Sequence, residues 1–111
     1  MAGINSIGFA AETQKTLAFG SITASYVAVG TLANPACIYW IQNLTNATLQ
    51  FSIDGTNDHF PLLANAFVLL DIGTNGTHQS SLSVPAGTTL YVKEIGNPSS
   101  GSVYLSSFYR I

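Results

Sequence analysis

Charge is scarce in this sequence. Three Lys and Arg and five Asp and Glu make up 7% of its 111 residues, against about 25% in an average soluble domain. Three basic residues cannot build the clustered phosphate contacts of a nucleic-acid partner. Cysteine is nearly missing as well. Cys37 stands alone inside an apolar run, so an intramolecular disulfide is excluded. Neither a basic residue nor a His adjoins it, which points to a small buried hydrophobe and not to a reactive thiol. Uninterrupted apolar runs stay far below the ~20 residues of a membrane helix. Gly3, Asn5 and Gly8 break the opening stretch, so no leader pattern is read there and synthesis in a host cytoplasm is expected. Serine-hydrolase elbows and phosphate-binding glycine loops are also missing, and the chain is not expected to be an enzyme.

What is present is apolar and patterned for strands. Hydrophobic residues make up 47% of the chain, enough for the core of one domain. The organising stretch is residues 36–59. Cys37-Ile38-Tyr39-Trp40-Ile41 is apolar on both parities, as in a strand covered on both faces. After the polar link Asn43–Ala47, Leu49, Phe51 and Ile53 alternate with Gln50 and Ser52, which predicts a strand with one wet side. The two are expected to form a β-hairpin at the centre of the fold. Asp54-Gly55-Thr56-Asn57-Asp58 reads as a tight loop, with Gly55 free to take positive φ. Further strands are expected over residues 15–20, 21–30, 59–63 (broken by Pro61), 66–72, 81–84, 88–95 and 102–110. Turn signals recur every 8–12 residues. The pattern predicts an all-β, jelly-roll-like antiparallel β-sandwich of about eight short strands, residues 15–111, preceded by an extended N-terminal arm, residues 1–14. Ile4, Ile7 and Phe9 are the arm's apolar anchors and its candidate partner contacts.

Candidate chemistry is thin. Asp54, Asp58 and His59 are close in sequence, and Asp71 and His78 could join them, but their spacing matches no calcium or zinc loop. Turn formation accounts better for these residues, and no cofactor or metal is expected. The sequons at Asn43, Asn46 and Asn75 arise readily in a chain this rich in Asn, Ser and Thr. Tyr39, Trp40, Tyr91, Tyr104, Phe108 and Tyr109 are candidates for a sugar-stacking platform, against the plainer reading that they fill the core and line an interface.

Several segments carry a resemblance. They are Ser25-Tyr26-Val27-Ala28-Val29-Gly30, Asn34-Pro35-Ala36, Ile53-Asp54-Gly55-Thr56-Asn57-Asp58-His59, Pro85-Ala86-Gly87-Thr88 and Gly101-Ser102-Val103-Tyr104. Together they resemble the capsid decoration (staple, or cement) proteins of epsilon15-like short-tailed bacteriophages, over nearly the whole chain and through turns and strands alone. The resemblance implies a jelly-roll subunit on the exterior of an icosahedral virion capsid. It would staple neighbouring copies of the major capsid protein, stabilise the shell and pair as a homodimer, with no nucleic acid and no membrane as partner. It supplies no catalytic residues. The alternatives are a carbohydrate-binding module on the virion surface and a head–tail connector or tail component.

Overall fold

Nine antiparallel strands form two sheets in the computed structural model, which describes residues 9–72 and 83–110. They are β1 (Phe9–Ala11), β2 (Lys15–Ala18), β3 (Val27–Thr31), β4 (Ala36–Asn43), β5 (Leu49–Ser52), β6 (Phe60–Leu62), β7 (Phe67–Asp71), β8 (Thr89–Glu94) and β9 (Ser102–Arg110). One sheet runs β1-β9-β4-β7, with β2 continuing the β1 side of β9. The other runs β3-β8-β5-β6. Strands β2 to β9 therefore divide between the sheets as 2-9-4-7 and 3-8-5-6, the strand order of a jelly roll.

The core lies between the sheets. Period 2 sends Tyr39 and Ile41 of β4 and Val103 and Leu105 of β9 inward from one side. Leu49, Phe51, Leu90 and Val92 meet them from the other, all fully buried. The Phe51 ring stacks on Phe60 at 5.5 Å between centroids. Cys37 is buried where the β4–β9 register shifts, and its thiol donates to the Phe108 carbonyl at 3.4 Å.

The expected hairpin over residues 36–59 is not formed. Strands β4 and β5 lie in opposite sheets, and their link carries the chain across the end of the core. Asn43 is the corner. Its buried amide nitrogen donates to the carbonyls of Ala47, Leu62 and Leu63 at 2.9–3.1 Å. Its oxygen accepts from the Thr45 N–H at 3.0 Å and the Thr45 hydroxyl at 2.6 Å. A side chain that satisfies the link's own backbone removes the need for a hairpin ladder. The corner presses on Gly101, where φ is 90° and an added Cβ would lie 2.0 Å from the Leu44 carbonyl oxygen, so only glycine fits.

Other segments depart from their expected limits. Residues 21–26 are not strand: Phe19–Ser21 form a 3-10 turn and β3 begins at Val27. Within residues 1–14, Phe9–Ala11 pair with β9 of the same chain and the Glu12 N–H donates to the Ser107 carbonyl at 3.1 Å. Strands β1 and β2 are two pieces of one edge, interrupted where Glu12 turns inward. Its side chain, 8% exposed, accepts from Lys15 Nζ at 3.0 Å and from the N–H groups of Ala33 and Asn34 at 3.2 and 2.8 Å. Desolvation raises this carboxyl. The Lys15 ammonium and the two N–H donors outweigh it and leave Glu12 below the ordinary carboxylate range.

Candidate interaction surface

The two outer faces of the sandwich differ in chemistry. On the β3-β8-β5-β6 sheet the outer face is polar and capped by the β5–β6 loop. Ser52 is covered completely, donating to Asp54 Oδ1 at 2.9 Å and accepting from the Gly55 N–H at 2.9 Å. Gly55, with φ of 76°, sits against the Tyr91 ring. Asp54 Oδ1 accepts from the Thr56 and Asn57 N–H groups, both at 2.8 Å, and Oδ2 accepts from Asn57 Nδ2 at 2.8 Å. The Asn57 donors, with Thr56 behind them, hold the Asp54 carboxyl far below its ordinary value. His59 Nδ1 accepts from the Ile53 N–H at 2.9 Å. Asp58 ties the loop to the sheet through the Tyr26 hydroxyl and Lys93 Nζ, the latter at 3.1 Å, and Lys93 lies 4.7 Å from the Tyr26 ring centre. Those two partners lower Asp58. Desolvation and the facing Asp58 push Tyr26 up to about 12.

This polar cluster is a self-satisfied turn. Asp54, Asp58 and His59 come together as their spacing suggested, while Asp71 stands on β7 in the other sheet and His78 lies outside the described residues. Among the described residues, no group of three or more His, Cys, Asp or Glu is arranged to hold a metal ion, and no helix is long and apolar enough to cross a membrane.

The outer face of the β1-β9-β4-β7 sheet is apolar and aromatic. The parity that sends Tyr39 and Ile41 inward turns Ile38 and Trp40 outward, and β9 places Phe108 beside Ile38 and Ser106 beside Trp40. On the other side, β7 sets Leu69 beside Trp40 and Phe67 beside Gln42. Phe67 stands edge-on to Trp40 at 6.4 Å, and Phe9 stands edge-on to Phe108 at 6.2 Å. Phe67 is 61% exposed and Leu69 and Phe9 each 50%. Trp40 Nε1 is buried with no hydrogen-bond partner among the described residues. Among the described residues nothing covers this face fully, and Ile38 and Trp40 are half-buried, which corrects the expectation that they are buried like Tyr39 and Ile41. A contiguous exposed apolar patch on a small domain marks a binding surface.

Of the three candidate partner contacts, Phe9 is on this face, at the end of the sheet next to Phe108. Ile4 and Ile7 lie outside the described residues. The six aromatic candidates are divided. Tyr39 is core, Tyr91 lies under the polar loop, and Trp40 and Phe108 join the apolar face, with Tyr104 on the same parity of β9 and Tyr109, half-buried, on the opposite one. Sequence reasoning missed Phe67 and Leu69. Their run is apolar on both parities, which is the mark of a buried strand, and only the strand order puts β7 last in its sheet among the described residues.

Comparison with protein-family models, curated proteins and solved structures finds no match to this chain.

Proposed function

We propose that this chain is a non-enzymatic structural protein that binds a protein lattice through the aromatic outer face of its β1-β9-β4-β7 sheet. The observation that carries the reading is that face: Ile38, Trp40, Phe67, Leu69 and Phe108 on one surface of a sheet whose other surface is already the core. An exposed aromatic patch of this kind, once covered by a partner, is where binding energy concentrates in protein interfaces. The low overall charge suits a subunit whose surface is covered in an assembly.

The resemblance of the turn and strand motifs to phage decoration proteins supplies the partner in this proposal. The lattice is the exterior of an icosahedral capsid, and the contact is with neighbouring major capsid subunits. Each copy binds weakly. A rigid shell presents many sites at fixed spacing, so a subunit that spans two neighbours gains by effective concentration. Binding the closed shell and not its loosened form stabilises the shell by linkage.

The test is co-sedimentation with empty shells of the major capsid protein encoded in the same genome. Saturable binding in hundreds of copies per shell, weakened strongly by Trp40→Ala, supports the reading. Six or twelve copies confined to one vertex would indicate a connector. Absence of shell binding together with a glycan-array hit abolished by Trp40→Ala would indicate a carbohydrate module.

A further inference from the structure

The β5–β6 loop is closed at its base by a side chain. Pairing of the two strands ends at Phe51↔Phe60, where the His59 N–H donates to the Phe51 carbonyl at 3.0 Å. Beyond that bond the ladder stops. The Ile53 N–H donates instead to His59 Nδ1 at 2.9 Å. A backbone N–H can only donate, so Nδ1 presents its lone pair and the ring proton sits on Nε2. The imidazole acts as the last rung of the ladder, and it can do so only while it is neutral.

Protonation turns the rung against the loop. An imidazolium donates from both nitrogens, so its Nδ1–H would meet the Ile53 N–H donor to donor. The surrounding charges favour the proton all the same. Nε2 lies 3.8 Å from Asp54 Oδ2, and Asp58 also interacts with the imidazole charge. From β8, Lys93 opposes it, but the Lys93 ammonium is engaged by Asp58 at 3.1 Å, and the Tyr26 hydroxyl binds the same carboxylate. Strand β6 carries no charged residue. The other ties of the loop do not depend on the ring. Ser52 Oγ accepts from the Asp54 and Gly55 N–H groups at 3.2 and 2.9 Å, and Asp54 Oδ1 accepts from Thr56 and Asn57. A proton on His59 therefore frees the Ile53 end of the loop and leaves the turn itself intact. Ile53 is 40% exposed, so its N–H meets water once the acceptor is withdrawn.

We infer that His59 is a proton-operated latch on the β5–β6 loop. Neutral, it closes the loop by accepting from Ile53. Protonated, it releases Ile53 and turns its charge to Asp54 and Asp58. The polar face thus has two forms, one with the Ile53 N–H bonded and one with that donor free beside a histidine–carboxylate pair. The latch is on the opposite sheet from the aromatic surface and stands without the lattice reading.

The test is NMR on the full chain, with Ile53 amide protection and the His59 ring titration followed together from about pH 8 to about pH 5, the window in which histidine changes charge. Asp54 and Asp58, held below the ordinary carboxylate range, keep their charge there. Protection at Ile53, corrected for the intrinsic exchange rate at each pH, is expected to fall about tenfold with the midpoint of the ring, the scale of one lost hydrogen bond. Gly55 and Asn57, whose acceptors are oxygens, are expected to hold. His59→Asn places an amide oxygen near the position of Nδ1 and takes up no proton in this window, so its Ile53 is expected to stay protected throughout. His59→Leu has no acceptor, and its Ile53 is expected to be unprotected at every pH. Constant Ile53 protection across the ring titration, or a ring that does not titrate in the window, would overturn the latch. So would a fall that persists in His59→Asn, or one shared equally by Gly55 and Asn57, which would mean that the whole loop opens. Should either variant fail to fold, the wild-type comparison of Ile53 with Gly55 and Asn57 decides alone.

Discussion

Asn43 and Glu12 each anchor a connection that no hydrophobic pattern reveals. Asn43→Ala leaves the Thr45 N–H and three carbonyls without their buried partner, and the expected loss is about 3 kcal/mol in urea unfolding. Glu12→Gln weakens the contact with Lys15 and the Ala33–Asn34 turn at a cost of about 1–2 kcal/mol at neutral pH. Glu12, Asp54 and Asp58 all titrate below their ordinary range when folded. The unfolded chain therefore binds protons first on acidification. Their contribution is full above the unfolded carboxylate pKa of about 4 and is lost as pH falls toward the folded values. Glu12→Gln is expected to flatten part of that acid limb. Tyr39 has the opposite sign. Burial pushes its hydroxyl up to about 12, so stability present below an unfolded pKa of about 10 is lost as pH rises toward the folded value. The hydroxyl has no hydrogen-bond partner among the described residues. Tyr39→Phe removes that unmet group and is expected to raise the neutral-pH urea midpoint by about 1 kcal/mol equivalent and to reduce the alkaline loss. Sequence alone shows Asn43 only as the start of a polar link and part of a sequon, and Glu12 only as one of eight charges. Their partners are distant in the chain, Leu62 for one and Asn34 for the other.

Strand existence was the most legible feature, because period 2 is written directly into Leu49-Gln50-Phe51-Ser52 and Ser102–Arg110. Strand partnership was not. The sequence places β4 and β5 next to one another, yet they occupy opposite sheets because Asn43 makes a corner. Pairing depends on the crossing geometry at Gly101 and Leu44, which local pattern does not encode. The same limit hid β7. A run apolar on both parities looks alike whether it is buried by a neighbouring sheet or left at an edge for a partner. Substitution separates the two cases within this fold. Phe51→Ala empties a fully buried, stacked position and is expected to cost about 3–5 kcal/mol. Trp40→Ala, on the outer face, is expected to cost less than half of that in thermal or urea unfolding. A Trp40 loss as large as that of Phe51 would place Trp40 in the core.

On the scale of the whole molecule, the jelly roll separates two chemistries. Its polar face closes on itself through Asp54, Asp58, Tyr26 and Lys93, and its aromatic face has no counterpart among the described residues. The sequence composition foretold a charge-poor surface, but how the charge divides between faces depends on which parity of each strand the core takes. The candidate arm contacts illustrate the point. Phe9 joins the aromatic face because β1 pairs with the end of β9, a register that residues 1–14 do not reveal. The most direct test of the account is the number of wild-type and Trp40→Ala chains bound per empty capsid shell in co-sedimentation, both proteins first shown to be folded. The account predicts saturation at hundreds of wild-type copies, a higher melting temperature for the decorated shell, and binding by Trp40→Ala reduced at least tenfold, about 1.4 kcal/mol per site. Equal binding of the two folded proteins, or no binding of either, would contradict it.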